Sequence, residues 1–124
     1  MALKIEKRLH PRILVDWPVV VVTPQRYIGG ETNNVSLGGA FIRCVSNPGA
    51  GEPLRIVFKA PSRERFLLFT AVVVWSNQYE QIHELFSTET GIRFTSFIGD
   101  SRLYLSQVIS EHGVIEHDKE FSAD

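Results

Sequence analysis

TNNVSLGGAFIRCV, residues 32–45, holds two short extended pieces separated by a pair of glycines. Gly38 and Gly39 admit backbone angles closed to other residues, so the stretch reads as a tight corner between two strands. A chain that reverses this abruptly between extended segments points to hairpin-built β structure, and the flanking sequence extends that reading in both directions.

Toward the N-terminus, residues 13–23 (ILVDWPVVVVT) are β-branched and aromatic. Pro18 within them argues against a helix and allows an edge strand or a bulge. Turn signals fill the connecting residues 24–31, PQRYIGGE. Toward the C-terminus, residues 47–53 (NPGAGEP) form a loop. LRIVFK then alternates Leu54, Ile56 and Phe58 with Arg55, Val57 and Lys59, the period of a half-buried strand. A mixed-charge tip with Arg63, Glu64 and Arg65 reads as a solvated turn leading to FLLFTAVVVWS. That run is too apolar to keep a solvent face along its length, which places its middle in the core. Residues 77–90 form a polar connection to GIRFTSF, another alternating strand.

Only then does the period change. Asp100 or Ser101 is the expected N-cap of a helix whose apolar stripe is Leu105, Val108, Ile109 and His112, with Gly113 as its terminator. Six strands at hairpin spacing followed by one amphipathic helix predict an all-β fold with one helix, a small six-stranded antiparallel β-barrel carrying a C-terminal α-helix packed on it. The expected division is a flexible arm at 1–12, barrel and helix at 13–113, and a polar tail at 114–124.

Composition bounds the chemistry. The 124 residues carry 13 Lys and Arg against 14 Asp and Glu, a formal charge of −1. That balance argues against binding DNA or RNA through bulk electrostatics, so any anion site must be local. Cys44 is the sole cysteine, which excludes an internal disulfide and suits a reducing, cytoplasmic setting. Apolar runs fall short of the ~20 residues needed to span a membrane, so no membrane insertion is expected. His10, His83, His112 and His117 show no metal-ligand spacing, and neither a nucleophile elbow nor a P-loop is present. No metal, no cofactor and no catalysis are therefore expected. Trp17 and Trp75, on strands, read as core residues, and Cys44 as a small buried hydrophobe.

Two elements carry ligand chemistry. In EKRLHPRILVDW, residues 6–17, Arg8 and Arg12 stand four apart, and Pro11 biases His10 away from helical angles, giving an irregular arm over the first strand. Guanidinium forks meet phosphate oxygens or the O6 and N7 edge of guanine in bidentate fashion and stack on bases. In NNVSLGG, Asn34 and Ser36 on an extended chain point to one face and offer an amide and a hydroxyl to one ligand edge, while Gly39 keeps the approach clear. Each element alone has a plain structural account: a solvated arm, and a turn in which Asn and Ser bond local backbone and the glycines supply positive φ.

Together, and in this order, RLHPR and NVSLGG resemble the ligand motifs of the PilZ domain, an Arg-x-x-x-Arg arm followed by Asp/Asn-x-Ser-x-x-Gly on a barrel. VVVWS and GIRF are similar to that family's closing strands. The resemblance implies a receptor for the second messenger cyclic di-GMP, with Arg8 and Arg12 on phosphates and guanine, and Asn34, Ser36 and Gly39 holding a guanine from the barrel side. A downstream protein partner that reads the surface changed on binding is also expected. Asn34 stands where many members carry Asp, which replaces charge-assisted hydrogen bonds by neutral ones about half as strong. Basic character at Lys7 is associated, in similar proteins, with an intercalated ligand dimer. The alternative is a protein-protein interaction module with the same barrel that binds no nucleotide.

Overall fold

The computed structural model describes residues 10–49, 53–60, 65–78 and 86–112. Among them six strands appear: β1 (Pro18–Val22), β2 (Tyr27–Val35), β3 (Gly39–Cys44), β4 (Leu54–Ala60), β5 (Arg65–Gln78) and β6 (Thr88–Phe97). One helix, α1 (Ser101–His112), follows them. The strands pair antiparallel and close into a barrel in the order β1-β2-β3-β6-β5-β4, the expected fold class. Closure leaves no strand with an unpaired edge.

Two-residue periodicity builds the wall. Ala40, Ile42 and Cys44 of β3, Leu54, Ile56 and Phe58 of β4, and Leu67, Phe69 and Ala71 of β5 all face inward. At the centre Phe69 stacks on Phe94, with centroids 4.3 Å apart, and Phe58 tilts against Phe69 at 5.0 Å. Tyr104, Leu105, Val108 and Ile109 of α1 complete the same core. The helix start is tied down at β5. Leu68 N donates to Ser101 Oγ at 3.0 Å, Arg65 pairs with Asp100, and the Arg65 guanidinium lies 4.5 Å from the Tyr104 ring centroid.

Several expectations need correction. Of residues 24–31, only the start is a turn, closed by Thr23 N on Arg26 O at 2.9 Å and capped by Thr23 Oγ1. The rest, from Tyr27, is already β2. Gly30 serves close packing there, since a Cβ would stand 2.2 Å from the Arg43 carbonyl oxygen. Among the described glycines, positive φ occurs at Gly49 and Gly99 and not at the expected Gly38 and Gly39. Pro18 lies on neither an edge nor a bulge. It opens β1, paired with Glu31, while the β4 register starts one residue later at Val19, so its missing N–H costs that ladder nothing.

The middle of β5 lies in the core as expected, with Leu67, Phe69 and Ala71 buried, but the strand also has solvent-facing residues: Phe66 is 58 % exposed, and every residue from Val74 to Gln78 is exposed. Strand structure also extends into the expected polar connection, where Asn77 pairs with Glu89 and Ser76 with Thr90 as cross-strand partners. Arg65 is an anchor for α1 and no solvated turn residue; Arg63 and Glu64 lie outside the described residues. His112 is exposed, and Tyr104 takes the fourth place in the helix stripe, because the helix meets the barrel by its first turns. Gly113 and the tail lie outside the described residues.

Candidate functional site

The route from the arm into the barrel is fixed by residues 13–17. Ile13 is fully buried and exchanges two backbone hydrogen bonds with Val35, at 2.9 and 3.0 Å. Further along, Thr32 N donates to Trp17 O at 2.8 Å, and the buried Thr32 hydroxyl accepts from Trp17 N at 2.8 Å while donating to Val15 O. The segment therefore runs beside β2 as a tethered ribbon. Arg12, one residue before this anchor, lies over the outer face of β3, with its guanidinium carbon 4.9 Å from the Phe41 ring centroid.

A register shift between Thr32 and Asn34 turns β2 beside this point. It gives the two asparagines different surroundings. Asn33 donates to Glu89 Oε2 at 3.1 Å, whereas Asn34 is only 7 % exposed, and its carboxamide has no hydrogen-bond partner among the described residues. That carboxamide lines an open pocket, where its oxygen and NH₂ are available to a ligand.

After β2 the chain turns at Ser36. Its Oγ accepts from Gly38 N at 3.0 Å and Gly39 N at 3.2 Å and donates to Gly39 O at 3.3 Å. Those bonds use both lone pairs and the proton, so the hydroxyl first shapes the turn. Gly39 then passes so close to β6 that a Cβ would meet Ile92 O at 2.1 Å. The glycine is required by strand approach.

Arg12, Asn34, Ser36 and Gly39 thus line one open pocket of about 160 Å³, together with His10 and Gly38. Ala40, Phe41 and Ile92 supply its apolar wall. Pockets that enclose a whole drug-sized ligand start at roughly 300 Å³, so this one fits a single heterocycle or phosphate of something larger. Lys7 and Arg8 lie outside the described residues. Neither metal-binding clusters of three or more His, Cys, Asp or Glu residues nor a helix long and apolar enough to cross a membrane occur among the described residues.

Three further residues stand at or beside the pocket that the motif pattern does not include. His10 lies over Gly38. Phe41, two residues after Gly39 and therefore on the same face, was legible from period two alone. Trp75, expected in the core, is instead 36 % exposed on the outer wall. Its ring covers Gly91 and meets Phe41 edge-on, with centroids 5.2 Å apart at 73°. Phe41 and Trp75 both pair with Gly91 from opposite sides, so the bare glycine lets two aromatic rings meet across it.

Comparison with known proteins gives the same architecture. The Bacillus subtilis inhibitor of motility MotI/DgrA superposes with a TM-score of 0.68 at 18 % identity, over 85 % of this chain and 50 % of its own. This chain thus spans half of that relative's length. The PilZ domain of YcgR from Escherichia coli, solved with c-di-GMP, superposes with a TM-score of 0.62 at 16 % identity, over 95 % of this chain and 98 % of its own. No curated protein sequence matches. The PilZ domain family model matches residues 6–111, from before the arginine arm to the last turn of α1. With the barrel order, the terminal helix and a match over most of its length, the chain belongs to the PilZ domain family.

Proposed function

We propose that this protein is a cytoplasmic receptor for cyclic di-GMP that acts by binding, without catalysis, and passes the signal to a protein partner. The observation that carries the proposal is that the carboxamide-bearing Asn34 and the guanidinium-bearing Arg12 line the same small open pocket. A guanine presents N–H donors beside a carbonyl acceptor, which a carboxamide complements with its oxygen and its NH₂. A guanidinium standing over an aromatic ring offers a stacking plane and a charge for phosphate. PilZ domains are binding modules, and the YcgR domain was solved with this ligand, which supports the same class here. In this reading Arg8 and Arg12 hold phosphates and guanine, with Lys7 beside them, and Asn34 and Gly39 receive the base. Ser36 keeps the turn in shape beneath it. Residues before His10 close over the ligand and present a changed surface to the partner.

The test is a calorimetric titration of cyclic di-GMP into the wild type and into Arg12→Ala, with GTP as the control ligand. Selective binding that is lost in the variant supports the receptor, and the titration gives the stoichiometry. A folded wild type that takes up no cyclic di-GMP leaves the barrel as a protein-protein interaction module.

A further inference from the structure

Gly38 and Gly39 are adjacent, yet they answer to different neighbours. A Cβ on Gly39 would strike the backbone of β6, whereas a Cβ on Gly38 would stand 2.8 Å from His10 Cδ2, 3.4 Å from Cγ and 3.5 Å from Nε2. The imidazole therefore lies directly on the bare Cα of Gly38. That seat is itself rigid, because Gly38 N donates to Ser36 Oγ and Gly38 O accepts from Phe94 N at 2.9 Å.

We infer that His10 and Gly38 form a docking point that positions Arg12 before any ligand arrives, an inference that rests on the receptor reading above. Arg12 is held from both sides. Ile13 after it is fastened to Val35 by two hydrogen bonds, and His10 before it rests on Gly38. Pro11 between them has its φ fixed near −65°, so the two anchors are joined through a stiff link. All of these contacts are made between atoms of the chain itself. The site is thereby preorganised at Arg12, and binding orders fewer side chains than a wholly free arm would demand. His10 is a positioning residue that works through its flat ring, and Gly38 works through the absence of a side chain.

The experiment uses wild type, His10→Ala, Gly38→Ala and the double variant. In ligand-free protein a nuclear Overhauser contact between the His10 ring and the Gly38 Hα protons is expected, and amide exchange at Arg12 should speed up in either single variant. Cyclic di-GMP should bind each single variant roughly threefold to tenfold more weakly, and the double variant no more weakly than the singles, since both remove one contact. His10→Phe, which keeps a flat ring, should retain wild-type affinity within about twofold. Losses that multiply in the double variant, or a His10→Phe protein as weak as His10→Ala, would overturn the inference. If wild type binds no cyclic di-GMP, the receptor reading fails, while the Overhauser contact and Arg12 exchange still decide whether the docking point exists.

Discussion

A side-chain carbon added at Gly39 would stand 2.1 Å from the Ile92 carbonyl oxygen, inside the distance any packed Cβ tolerates. The obstacle is backbone, which no rotamer change relieves. Gly39→Ala should therefore push β3 off β6 and destabilise the barrel by about 1–3 kcal/mol, the usual cost of overpacking. Gly38→Ala, which meets only a side chain, should stay within about 0.5 kcal/mol of wild type. Denaturant melts of the two variants check the contrast, and equal losses would refute it.

Asn34 offers a test of acceptor strength. Asn34→Asp replaces a neutral acceptor by a carboxylate, whose hydrogen bonds to guanine N–H groups contribute about 0.5–1.5 kcal/mol more. Cyclic di-GMP should bind roughly twofold to tenfold more tightly. The free protein should melt lower, because a carboxylate in this nearly buried position lacks a partner. Tighter binding without a lower melt, or the reverse, would separate the two effects and count against this account.

The helix anchor should show in acid. Its hydrogen bond to Arg65 holds the Asp100 carboxyl below the ordinary 3.8. A group depressed in the folded state adds stability above its unfolded-state value and loses it as pH falls through the folded one. Wild type should melt above Asp100→Asn near neutral pH, and the two curves should converge as pH drops below about 4. Curves that stay parallel would show that the ion pair does not anchor α1.

Cys44 should be silent. Burial pushes its thiol up to about 12, leaving essentially no thiolate in the native protein. Alkylation at pH ~8 should proceed only through unfolding and accelerate in step with denaturant. Rapid labelling of the folded protein would place the thiol nearer solvent than β3 allows.

Much of this fold was legible locally. LRIVFK alternates in sequence and alternates in burial, because a strand's side-chain period is a property of its own backbone. The helix was legible from its change of period, and the two motifs from residue chemistry. The errors share one origin. Gly38 lies in the β2–β3 corner as read, though without positive φ, whereas Gly30, read as a turn former, and Gly39 are held to glycine by the distant backbone of Arg43 and Ile92. Likewise the polarity of residues 77–90 hid cross-strand pairs such as Asn77 with Glu89, which exist only once β5 and β6 are in register.

The sequence by itself determined which side chains face inward along an alternating strand such as β4, where the helix begins, and which residue types were available to meet an anion and a purine. Those are consequences of backbone periodicity and side-chain chemistry, which act within a few residues. Tertiary structure decided that β1 would close on β4, that a shifted register would separate Asn33 from Asn34, and that Arg12, Phe41 and Trp75 would meet beside the pocket. Each of these depends on pairing between segments far apart in the chain, and a one-residue change of register would turn every one of those side chains to the other face of the wall.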